Sequence, residues 1–211
     1  MLDRIFFHFT NSFYDHKELL ILVLALVFLT LTVSWWAYDT SDIDQVYEDA
    51  YLEQETTFDF LDFILITGNN VFLNIFAYVM SIFFGIGAIA DILVNIGVTG
   101  STSAATAYLT GDSLYFIKLT LVHGFYEDVS TILNSFASFI LASAVLKYVK
   151  DFLSPSKQIA DSRLKNAWEL NKVDFKESFA VFLVGIAVMI FAGFLEVYIS
   201  IPIGNLLVEI L

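Results

Sequence analysis

The sequence predicts an all-α polytopic membrane protein of about five transmembrane helices, and three observations predict it. Of 211 residues, 58% are hydrophobic and only 16% are charged, whereas soluble domains lie near ~45–50% apolar and ~25% charged. The mean hydropathy is +0.75. The charges are clustered, leaving residues 19–38, 63–90, 92–111, 129–146 and 178–195 without any Asp, Glu, Lys or Arg. About 18–20 apolar residues cross ~30 Å of hydrocarbon at helical rise, so each run meets the length criterion. Residues 92–111, rich in Ser, Thr and Gly, form the weakest of them.

The elements follow in chain order. Residues 1–18 carry Arg4 and Lys17, and Ile5, Phe9 and Phe13 recur every four residues. That spacing predicts a short helix lying in the membrane interface with the stripe in lipid. The first span is placed at 19–38. It ends in Trp35, Trp36 and Tyr38, which suit an interfacial aromatic belt. With no small-x-small cleavage pattern after it, it is expected to remain as an anchor. Residues 39–68 are read as an acidic extracytoplasmic loop, because nine acids and no Lys or Arg lie between Asp39 and Asp62. Residues 69–149 form the membrane core: a helix over 69–91, a broken segment over 92–125 and a helix over 126–149. Residues 150–177 are polar, basic and interrupted by Pro155, and are read as a basic cytoplasmic loop. Residues 178–211 hold the last helix and the C-terminus.

Orientation follows from the positive-inside rule. Arg4 and Lys17 precede the first span, and seven of the ten basic residues lie between Lys147 and Lys176. Both segments are therefore expected to be cytoplasmic, in the cell membrane. An even number of crossings must then separate them, which requires 92–111 to cross. The alternative has four spans plus a re-entrant helical hairpin at 92–123, and it would place the basic loop outside.

Several function classes are excluded or disfavoured. A net charge of −13 argues against nucleic acid, which needs clustered Lys and Arg. The absence of Cys removes disulfides and thiolate chemistry. No phosphate-binding glycine loop, nucleophile elbow or dinucleotide fingerprint is present. No cofactor is expected, and an enzyme is disfavoured.

Ionisable residues within membrane segments usually face a partner or a cavity. Here they are Asp91, Lys118, His123, Glu127, Asp128 and Glu196. His123 and Glu127 form H-G-x-x-E, an i, i+4 pair on one helical face. Such a pair can relay protons or hold a cation, or it can cap and pin a helix start. It is not a zinc-protease motif, which needs two His flanking a Glu. His8 and His16 lie near the N-terminus, so no metal site is expected. Glu196 either snorkels to the outer interface or turns inward towards His123 or Lys118. Asn70, Asn74 and Asn95 suit hydrogen bonds between helices, and Gly85 and Gly87 suit close helix contact.

The stretch N-N-V-F-L-N…S-I-F-F-G-I-G…N-I-G-V-T-G over 69–100, V-H-G-F-Y-E at 122–127 and A-G-F-L-E at 192–196 resembles the stage II sporulation protein M family. Asn70, Gly85, Gly87, Asn95, Gly100, His123, Gly124, Glu127 and Glu196 fall on the family's motif positions. The chain departs from the pattern at Ile96, where the family has Gly, at Val122, where it has Pro, and at Asp128, an added charge. The resemblance implies a non-enzymatic membrane scaffold or anchor that contacts lipid. It also implies a homo-oligomer, dimeric or higher, that binds partner membrane or envelope proteins. The residues alone leave open a transporter or proton-conducting protein using His123, Glu127 and Glu196 around a broken helix.

Overall fold

The computed structural model describes residues 2–38, 60–110, 123–154 and 160–200. These form α1 (Leu2–Asp15), α2 (Lys17–Ala37), α3 (Phe60–Met80), α4 (Ile86–Asp91), a π-helical turn (Ile92–Ile96), α5 (Gly97–Thr110), α6 (Gly124–Leu153), α7 (Ala160–Leu195) and a second π-helical turn (Glu196–Ser200). Five helical stretches are long and apolar enough to cross a membrane: Lys17–Ala37, Phe60–Met80, Ile86–Ala105, Gly124–Leu153 and Ser162–Ser200. The third of them takes in 92–105, the first part of the segment for which a re-entrant hairpin was the alternative, as a helix long and apolar enough to cross. Residues 111–122 of that segment, with Lys118, the acidic stretch 39–59 and Pro155 lie outside the described residues.

α6 is the central helix. The apolar window of α6 is 61% buried, against 11% for α2 at the periphery. α6 and α7 pair along their length, and α3, α4 and α2 pack around α6. Lipid tails are as apolar as leucine, so such a bundle depends on close packing and interhelical hydrogen bonds rather than on hydrophobic expulsion. Accordingly, one face of α6 carries Ser130, Thr131, Asn134, Ser135, Ser138 and Ala142, all buried. The apolar core gathers Val23, Ile92, Ile96, Phe136, Ile140 and Val181.

Four expectations change. First, the 69–91 helix is not continuous. α3 starts at Phe60, ends at Met80, and a tight turn over 81–85 reverses the chain into α4. Phe84 (φ 59°) and Gly85 (φ 77°) both occupy the left-handed region, which only glycine enters without steric cost. Gly85 thus makes the turn. Gly87 lets α4 close on α3, because a Cβ there would lie 1.9 Å from the Ala77 carbonyl oxygen. Second, the irregular backbone expected over 92–125 is helical through residue 110, with one π-turn at Ile92–Ile96. Third, residues 150–153 and 160–177, expected as parts of a loop, are helical. α6 and α7 extend through most of them, and at 1.5 Å per residue the 36 residues of α7 reach about 54 Å, well beyond the ~30 Å hydrocarbon. Its charges pair along the helix surface, as with Lys172 and Glu169. Fourth, the stripe of α1 faces protein rather than lipid. Phe9 and Phe13 pack on the core, Phe13 lying 5.5 Å from the Phe136 ring, while Phe6, Phe7 and Tyr14 face outward.

Candidate functional site

H-G-x-x-E is the first turn of α6. The His123 carbonyl accepts the Tyr126 and Glu127 N–H groups at 2.9 and 3.0 Å, and Gly124 is the first helical residue. Glu127 therefore sits at the positive end of the helix dipole, where a carboxylate is favoured. The motif joins its two ends through backbone. Among the described residues the two side chains form no ion pair, and His123 Nδ1 is buried without a hydrogen-bond partner.

Glu127 and Asp128 open on a cavity of about 140 Å³ whose wall includes Asn70, Asn74, Asn95 and Thr99. At ~30 Å³ per water it has room for about four waters. Thr99 Oγ1 donates to Asp128 Oδ1 at 3.1 Å. Glu196 and Asp128 are the charges that act on Glu127, and Glu196 Oε2 is buried without a partner. Two carboxylates and three amides thus line the cavity, Glu196 lies near enough to act on Glu127, and among the described residues no Lys or Arg lines it. Carboxylate and amide oxygens are hard donors, so the chemistry available is proton sharing or holding a small hydrated cation.

Both π-turns flank this place. One carries Asn95 and the other begins at Glu196. A π-turn inserts a residue into the helical repeat, and such turns are frequent at functional sites. Here the first turn sets Asn95 Nδ2 on Asp91 Oδ1 at 2.7 Å, and Ser135 Oγ of α6 donates to Asp91 Oδ2 at 3.2 Å.

A second network lies beside the first. Asn134 Nδ2 donates to Asn74 Oδ1 at 2.6 Å and to Ser130 Oγ at 3.1 Å. Ser130 Oγ in turn donates to the Gly185 carbonyl at 2.9 Å. Further along the bundle, Tyr78 OH meets Ser178 Oγ at 2.8 Å, and Ser178 Oγ donates to the Ala137 carbonyl at 2.8 Å. Gly100 serves a separate contact, since a Cβ there would lie 2.9 Å from the Leu31 carbonyl oxygen on α2.

A family model for stage II sporulation protein M matches residues 20–201. The chain belongs to this family. No curated protein and no solved structure matches it at a significant level. The match runs from α2 to the π-turn after α7, and so takes in the whole cavity of this stage II sporulation protein M relative.

The structure brings Asn70, Asn95 and Glu127 to one cavity, with Glu196 close enough to act on Glu127. It leaves His123 at the helix start, and puts Gly85, Gly87 and Gly100 at backbone contacts and a turn. Sequence reasoning missed Thr99, Thr131 and Asn134. The i, i+4 spacing of Asp91 and Asn95 was a usable signal, whereas nothing local links Asn74 to Asn134. It also set aside His16, which the fold carries to Glu177.

Proposed function

We propose that this membrane protein is a non-enzymatic scaffold or anchor that oligomerises and binds envelope or membrane partners. The observation that carries the reading is the mutual pairing of buried polar side chains across helix contacts. Asp91 with Ser135, Asn134 with Asn74, and Tyr78 with Ser178 bind helices to one another, as polar groups do in a packed membrane bundle. In the topology that goes with it, the N-terminus and the 150–177 segment are cytoplasmic, because the Lys and Arg residues concentrate there. The acidic 39–59 segment and the cavity then lie at the outer face of the cell membrane.

The cavity at Glu127, Asp128 and Glu196 favours a second reading, a protein that takes up protons or a small cation there. One experiment separates the two. His123→Ala, Glu127→Gln and the parent are compared for size in detergent and for proton or cation uptake in liposomes loaded with an indicator dye. A scaffold loses stability or assembly in His123→Ala, with no flux in any sample. Normal folding together with parental flux that either substitution abolishes would replace the scaffold with a conducting protein.

A further inference from the structure

We propose that His16, Asp174 and Glu177 form a site for a divalent transition-series ion such as Zn²⁺ or Mn²⁺ where α1 meets α7. The site starts from backbone. His16 lies between α1 and α2 outside helical geometry, at φ −122° and ψ 28°. Its N–H still bonds the Ser12 carbonyl at 3.0 Å. That corner turns the imidazole into the bundle, where it is 7% exposed. Asp174 and Glu177 are i, i+3 on α7 and therefore share a face.

The ligand atoms converge. His16 Nε2 is 3.1 Å from Glu177 Oε2 and 3.9 Å from Asp174 Oδ1, and the three atoms lie within 4.8 Å of one another. Around an ion with bonds of ~2.0–2.2 Å, tetrahedral ligands sit about 3.3–3.6 Å apart. Small side-chain rotations close the difference. Lys147 Nζ holds the other Asp174 oxygen, Oδ2, at 2.7 Å, which leaves Oδ1 turned towards the imidazole. That is the role of an outer partner that orients a ligating carboxylate.

The local charge also asks for a cation. Asp15, Asp174 and Glu177 surround the corner with Lys147, and Glu177 is 1% exposed with His16 as its hydrogen-bond partner. A neutral imidazole is the form that binds metal. One nitrogen and two carboxylate oxygens suit Zn²⁺ or Mn²⁺, while Mg²⁺ and Ca²⁺ take oxygen ligands. The bound ion would tie α1 to α7 and leave a coordination position for water.

The test uses the full chain without a polyhistidine tag, purified in detergent and stripped with EDTA. ZnCl₂, MnCl₂, MgCl₂ and CaCl₂ are titrated by calorimetry, and CoCl₂ is followed by visible d–d absorption. The expected result is one Zn²⁺ or Mn²⁺ per chain at micromolar or tighter affinity, a coloured Co²⁺ complex, and no comparable uptake of Mg²⁺ or Ca²⁺. Glu177→Gln retains the shape and a hydrogen-bonding group, and it should weaken binding at least ~10-fold, as should His16→Ala. Failure of the parent to bind tighter than millimolar, or equal binding by Glu177→Gln, overturns the site. Should His16→Ala not fold, the parent titration and Glu177→Gln decide the matter.

Discussion

The α6–α7 contact yields a prediction whose size follows from distances. Gly185 faces Asn134, and a Cβ at 185 would stand 2.2 Å from Asn134 Oδ1 and 2.8 Å from its Cγ. Ordinary contact is ~3.5–4.0 Å, so an atom must move by more than about 1 Å. Asn134 is 1% exposed and has no solvent to swing into. Rotating it away breaks its bonds to Asn74 and Ser130. Overpacking costs about 1–3 kcal/mol, and a membrane interhelical hydrogen bond about 0.6–1.7 kcal/mol. Gly185→Ala should therefore cost about 2–4 kcal/mol. At ~2–4 °C per kcal/mol for a chain of this length, its apparent Tm in detergent falls by about 4–16 °C. Asn134→Ala alone loses only the bonds, and in that background Gly185→Ala should cost under ~1 kcal/mol. The cycle then gives a coupling of at least ~1 kcal/mol. SDS-induced unfolding in mixed micelles, followed by tryptophan fluorescence, measures all four proteins. If Gly185→Ala is as costly without the Asn134 amide as with it, or costs nothing in the parent, the contact is not what holds the two helices at this spacing.

Two further substitutions probe the same logic. Gly87→Ala puts a Cβ 1.9 Å from the Ala77 carbonyl oxygen, a backbone atom that cannot rotate away, whereas Gly68 has nothing within 4 Å. Size-exclusion chromatography should show aggregated or absent Gly87→Ala, and Gly68→Ala within ~0.5 kcal/mol of the parent by unfolding. Asp91 accepts from Asn95 and from Ser135 at 6% exposure. Asp91→Leu leaves both donors unpaired at about 1–3 kcal/mol each, while Asp91→Asn keeps one acceptor and should cost less than half as much in the same unfolding assay. Equal costs for the two would show that shape, not hydrogen bonding, matters at that position.

The five spans were legible because hydrocarbon thickness imposes a length on charge-free runs, and the runs are there to be counted. Their ends were less so. α3 begins before residue 69 because Asp62 can sit in the first helical turn at the membrane boundary, where a carboxylate is favourable. The break after Met80 left no mark beyond Gly85, since Ser81–Phe84 reads as a continuation of an apolar helix. The basic 150–177 segment was mistaken for a loop because composition does not separate a solvated helix from a solvated coil. The α1 stripe had the right period, but periodicity identifies a face without naming what covers it. The same limit governs the polar sites. Asp91 and Asn95 are i, i+4 neighbours whose bond is legible from spacing, whereas His123 and Glu127 share that spacing and meet only through backbone. His16 and Glu177 are 161 positions apart, and only the fold places one against the other.

The distribution of charge along the bundle separates its two ends. Glu177 and Glu196 lie on α7 and the π-turn that continues it, about 28 Å apart at 1.5 Å per residue. That is close to the hydrocarbon thickness, so the two carboxylate clusters fall near its two faces. Between them the described buried polar groups are amides and hydroxyls, except for Asp91, which has two donors of its own. Placing charge at the faces limits the cost of ionised groups in lipid. Each end pairs some of its polar atoms and leaves others without partners. At the α1–α7 corner Glu177 has His16 and Asp174 has Lys147. Glu196 Oε2 near the cavity and His123 Nδ1 at the start of α6 are buried without partners, as is His8 Nδ1 on α1. An unpaired buried polar atom costs about 1–3 kcal/mol, so a partner supplied to any of them is stabilising. A proton, a small cation or a hydrogen-bond donor that reached Glu196 Oε2 would supply its missing partner. The uptake reading turns on these atoms, while the scaffold reading turns on the paired amides and hydroxyls between the helices.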